Sequence, residues 1–130
     1  MTVLLVGSVL LIIEATTMPW SYYYVGHAHW ANVEWVPLSR HVKPEDFILN
    51  LVLFVPFGYA GLGAWLPGAG DATPAMVDRR VLAAVIVAGG LLSISVEVFQ
   101  VYCHGRMPTT VDVIANTIGT WIGTRLGRHG

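Results

Sequence analysis

Residues 97–119 read EVFQVYCHGRMPTTVDVIANTIG, and they decide what kind of chain this is. Glu97, Gln100, Arg106, Asp112 and Asn116 stand inside or between two of its most apolar runs. Ser93, Glu97 and Gln100 are spaced i, i+4, i+7, so on a helix they share one face. Asp112, Asn116, Gly119 and Gly123 repeat the pattern at i, i+4, i+7, i+11. The short link at residues 103–110, with Arg106 and Pro108, makes the two helices antiparallel neighbours whose polar faces oppose. An acid at a helix centre in hydrocarbon costs about 2.5–3.5 kcal/mol, so these groups are expected to turn inward and find partners. Arg106 is expected to fold over Glu97 and Asp112, since a guanidinium can hold a carboxylate through two parallel hydrogen bonds.

Working outward, the remaining chain is greasier still. Of 130 residues, 55% are hydrophobic and only 12% charged, about half the charged share of an ordinary soluble domain. The mean hydropathy is +0.62. These figures exclude a disordered chain and argue for a membrane protein. The net charge of −1 provides no basic field for nucleic acid. The lone Cys103 permits neither an intrachain disulfide nor a cysteine-based zinc site.

Four apolar segments organise one domain, residues 1–130, predicted as helices at about 3–17, 47–65, 81–102 and 111–126. Period-2 alternation is absent, and lipid demands internally satisfied backbone, so the expected fold is all-α: a polytopic bundle of four transmembrane helices. The first segment is short and meets Glu14, which is expected to snorkel or to pair with Arg40 or Lys43. It lacks the basic start and cleavage site of a signal peptide. The second contains Asn50, able to bond across to the third or fourth helix, and Pro56, which removes a backbone donor. The first loop carries Trp20, Tyr22, Tyr23, Tyr24, Trp30 and Trp35 and is expected to lie along the membrane–water interface. Four helices put Arg79, Arg80, Arg125 and Arg128 on one side and Arg40, Lys43 and Arg106 on the other. The larger count assigns both termini to the cytoplasm.

The spacing S-x3-E-x2-Q-x5-R-x5-D-x3-N-x2-G-x3-G, here Ser93, Glu97, Gln100, Arg106, Asp112, Asn116, Gly119 and Gly123, resembles the VanZ-like family of small bacterial integral membrane proteins. The upstream LNLVLFVPFGYAG, with Asn50, Phe54, Pro56 and Gly58, resembles it too, and the likeness covers about residues 36–127. The resemblance implies a cell-envelope protein of the bacterial inner membrane and, at family level, a link to resistance against the glycopeptide antibiotic teicoplanin.

Three functional readings follow from the polar cluster of Asn50, Ser93, Glu97, Gln100, Arg106, Asp112 and Asn116. The first is a non-enzymatic protein that binds a lipid head group or small polar ligand, with no cofactor. The second is an accessory subunit docking onto a larger membrane complex through the aromatic loop and the Gly119/Gly123 face. The third is an intramembrane enzyme on a lipid-linked substrate, with Glu97 and Asp112 as acid and base. A structural clamp between two helices would use the same residues. Pro56, Gly58, Gly119 and Gly123 are read as helix-packing positions. His27 and His29 form an H-x-H pair, but two ligands fall short of a metal site, and none is assigned. Adjacent Cys103 and His104 point in different directions on a helix, which argues against a nucleophile–base pair.

Overall fold

The computed structural model describes residues 1–17, 26–37, 43–65 and 79–129. These form four helices: α1 (Thr2–Thr17), α2 (Pro44–Trp65), α3 (Arg79–Gln100) and α4 (Thr110–His129), with a single 3-10 turn at Trp30–Asn32. Trp20, Tyr22, Tyr23, Tyr24, Arg40 and the 66–78 link lie outside the described residues. Helix α2 begins three residues before its predicted start, with Glu45 and Asp46 in its first turn, where acids complement the helix dipole. Helix α3 ends at Gln100, two residues early, and α4 runs on to His129.

The expectation of four spans is met in part. Helices α2 and α3, 22 residues each, are long and apolar enough to cross a membrane. At about 1.5 Å per residue each reaches roughly 33 Å. Helix α1, with 16 residues, is shorter than a usual span. Helix α4 has the length but carries Asp112, Asn116 and four threonines.

Distribution explains that composition. Asn116, Thr120 and Thr124 of α4 are buried, while Ile114, Ile118, Trp121 and Leu126 are exposed. On α3, Val87, Leu91, Ile94 and Val98 form an exposed row at helical spacing, and Ser93 is fully buried. Exposed Val3, Leu4, Val6, Leu10 and Leu11 do the same on α1 against buried Ser8, Thr16 and Thr17. The molecule is apolar outside and partly polar within.

Two crossings set the architecture. Helices α3 and α4 run antiparallel: Gly89 faces Thr120, and Ser93 accepts a 2.8 Å hydrogen bond from Asn116 Nδ2. Glu97 is close enough to Asp112 to act on it electrostatically. Each pairing steps four residues along one helix and four back along the other. Helices α2 and α4 run parallel and make the most extensive contact of the bundle. There Gly119 lies on the backbone of Leu51, Gly123 on Val55 and Tyr59, and Gly58 on Thr120. The glycine face of α4 is thus spent on α2. This corrects its expected use as an external docking surface. The sequence showed that something approaches closely, and the structure shows it to be another part of the same chain.

An apolar cluster of Ile12, Phe54, Phe57 and Val96 joins α1, α2 and α3. Gln100 Nε2 donates to the Thr16 carbonyl at 3.0 Å, tying the end of α3 to the end of α1. The Asn116 Oδ1 atom is buried and makes no hydrogen bond among the described residues, where Ser93 is the partner of its side chain. Ser93→Ala is therefore expected to destabilise the fold by about 1 kcal/mol, the scale of a single interhelical hydrogen bond. A thermal-unfolding double-mutant cycle with Asn116→Leu should show the two losses failing to add; strict additivity would dissociate them.

Candidate functional site

The link between α3 and α4 organises the polar end of the bundle. Thr109 precedes α4 and caps it: its Oγ1 accepts the Asp112 N–H at 3.0 Å. The spacing Thr109-x-x-Asp112 is that of a capping box, with an acid on the helix's positive end. The Thr109 N–H donates to Glu97 Oε2 at 2.8 Å. Thr109 also forms an isolated parallel β-bridge with Glu34 of the first loop. In that seam the Glu34 N–H donates to the Pro108 carbonyl at 2.8 Å, and the Thr110 N–H to the Glu34 carbonyl at 3.1 Å.

Around this turn lies a recess of about 680 Å³. Its charged lining is Glu34, Lys43, Asp46, Glu97, Arg106 and Asp112, joined by Asn50, Gln100 and Thr109. Asn50 Nδ2 reaches from α2 to Asp112 Oδ1 at 2.7 Å. The carboxylates are thus held by hydrogen bonds from Thr109 and Asn50, while Arg106 stands on the same wall and acts electrostatically on Glu97. The arginine was expected to hold both acids; the Thr109 amide and the Asn50 side chain also hold them, one each.

The predicted cluster divides. Asn50, Glu97, Gln100, Arg106 and Asp112 line the recess, whereas Ser93 and Asn116 pair deeper between α3 and α4 and take no part in it. Sequence reasoning missed Thr109, Lys43, Asp46 and Glu34 as wall residues. The capping-box spacing at Thr109 was the available signal. The other three come from segments distant in sequence, and no local pattern marks them.

A second hollow, about 390 Å³ and almost wholly apolar, adjoins the first. Trp30, Trp35, Ile94, Val98, Val101 and Ile114 line it, and Glu97 and Thr109 belong to both cavities. Trp30 and Trp35 are exposed.

Cys103 is buried, and its thiol lies 3.6 Å from the Phe99 carbonyl. Burial pushes that thiol up from its ordinary value, with Arg106 opposing, which disfavours the thiolate. His104 turns instead toward His27 and His29. Partial burial and those two neighbouring rings hold His29 below its ordinary value, which leaves it neutral at physiological pH.

An all-helical bundle with an apolar exterior, span-length helices and a charged recess at one end defines a small membrane-associated protein. The chain belongs to the VanZ/LLP1 family, whose model matches residues 2–128. That match extends the resemblance read from residues 36–127 to include α1 and the aromatic first loop. No curated protein and no solved structure is similar to the chain.

Proposed function

We propose that this is a four-span inner-membrane protein, both termini cytoplasmic, that binds an amine-bearing phospholipid without chemical turnover. The observation that carries the reading is the meeting of a charged recess and an apolar hollow across Glu97 and Thr109. A lipid has the same two parts in the same adjacency. Four carboxylates against Lys43 and Arg106 favour a zwitterionic head group over an anionic one. The amine would sit among Glu34, Glu97 and Asp112, and the phosphate toward the two cations. The apolar outward faces of all four helices support bilayer placement of α1 and α4 as well as α2 and α3. For α4 the burial of Asn116, Thr120 and Thr124 supports a span despite its polar composition.

Glu97→Gln tests the reading. The amide keeps an acceptor for the Thr109 N–H but cannot carry a negative charge toward the amine of a bound lipid. Charge-assisted hydrogen bonds contribute about 1.5–3 kcal/mol, so phosphatidylethanolamine occupancy in native mass spectrometry should fall roughly 10- to 100-fold at unchanged folding. Arg106→Ala should weaken retention of the same lipid. Wild-type protein should prefer phosphatidylethanolamine to phosphatidylglycerol. Unchanged occupancy in both variants sinks the proposal. A stoichiometric protein partner retained in mild detergent would favour the accessory-subunit reading, and turnover of a lipid-linked substrate lost in Glu97→Gln would make the site catalytic.

A further inference from the structure

The first loop and the α3–α4 link bring together three histidines that are far apart in sequence. His27, His29 and His104 each present a ring nitrogen, and these nitrogens all lie within 4.8 Å of one another. Ring centroids are separated by 4.7 Å for His27 and His29, 4.8 Å for His29 and His104, and 5.7 Å for His27 and His104.

The backbone is built to hold this arrangement. The His29 N–H donates to the Val101 carbonyl at 2.8 Å, pinning the loop to the link three residues before His104. Gly26 and Gly105, directly flanking His27 and His104, both have φ of 74°. That left-handed conformation suits glycine and turns the chain sharply beside each outer histidine. The Glu34–Thr109 bridge fixes the far end of the same seam.

One observation separates the cluster from a chance stack of rings. His29 Nε2 is buried and makes no hydrogen bond. Buried ring nitrogens nearly always have a partner. His27 and His104, by contrast, are exposed.

We propose that His27, His29 and His104 form a binding site for a divalent transition-metal ion of borderline softness, zinc being the reference case. Three imidazoles suit zinc, copper and nickel and disfavour magnesium and calcium. A tetrahedral ion with Zn–N bonds of about 2.0–2.1 Å needs nitrogen–nitrogen separations of roughly 3.4 Å, a closure the two exposed rings can supply by rotation. His29 Nε2 is the fixed ligand and the outer two close on it. Three protein ligands leave a coordination position open to water or an external group. Cys103 is excluded from the set because its thiol is buried against Phe99. The ion would clasp the first loop to the link, next to Gly105 and Arg106 of the recess wall.

The test uses the full chain in detergent, purified without a polyhistidine tag, stripped by chelator and titrated with zinc. One zinc per chain is expected, together with a zinc-dependent rise in the unfolding temperature. Cobalt added to wild-type protein should give the intense visible bands of a four-coordinate ion, a readout that needs no variant. His27→Ala, His29→Ala and His104→Ala should each weaken zinc binding at least 100-fold. The remaining histidines serve as the control: the His41→Ala/His129→Ala double variant should bind within about threefold of wild type. Sub-stoichiometric zinc on the wild type, or affinity unchanged by loss of any one of the three, overturns the site. So does loss of binding in the control.

Discussion

Gly119→Val should leave almost no recoverable folded protein. At position 119 a β-carbon would coincide with the Leu51 carbonyl, which is backbone and cannot rotate aside. Both helices would have to separate, and Gly123 and Gly58 sit in the same contact, so the separation propagates along the α2–α4 crossing. In lipid, helix association rests on close packing rather than on a hydrophobic drive, and small residues at the crossing are what permit it. Gly7 provides the control. It has open space around the missing methyl, and alanine there should be neutral or mildly stabilising, by up to about 1 kcal/mol. Fluorescence-detected size exclusion of the two variants is the measurement. A monodisperse Gly119→Val protein with wild-type unfolding temperature would refute the crossing.

Phe54→Ala should be the most damaging of the core truncations. Phe54 is fully buried and touches Phe57, its ring centroid 6.3 Å away, within the cluster that joins α1, α2 and α3. Phenylalanine-to-alanine changes in soluble cores cost about 3–5 kcal/mol, part transfer and part cavity. Where the surrounding solvent is hydrocarbon the transfer part shrinks, because lipid is as apolar as the core. The cavity and lost dispersion remain, and a cost near 3 kcal/mol is expected. Val52→Ala, two residues away but exposed, should cost little, since its side chain packs outward and its loss leaves no enclosed cavity. Thermal unfolding in one detergent compares them. Equal losses would mean that Phe54 does not sit at the junction of the three helices.

Much of this architecture is legible in the pattern of residues. The polar face of Ser93, Glu97 and Gln100 and the matching face of Asp112 and Asn116 carry helical periodicity, and a nine-residue link leaves them little choice but to oppose. Asn50 could be read as a cross-helix donor because an amide in an apolar run needs a partner. Other features were not legible, for definite reasons. Glycine spacing at 119 and 123 says that a backbone comes close but not whose, and the partner proved to be α2. Whether α4 spans a membrane cannot be judged from its mean composition, since Asn116, Thr120 and Thr124 are inside and Ile114 and Ile118 outside. The approach of His104 to His27 and His29 depends on a backbone seam between segments about 75 residues apart, and no periodicity encodes that. Thr109 carries a capping signal that is local and legible, since it immediately precedes α4 and stands three residues before Asp112.

The three attachments of that threonine belong to three different parts of the molecule. Its amide holds Glu97, its hydroxyl starts α4, and its peptide joins the seam with Glu34. An occupant of the recess that drew Glu97 away would slacken the seam, and a force that lifted the loop would free the acid. Thermodynamic reciprocity makes the two effects equal in free energy. The turn is a latch with two handles, one in the recess and the other in the first loop.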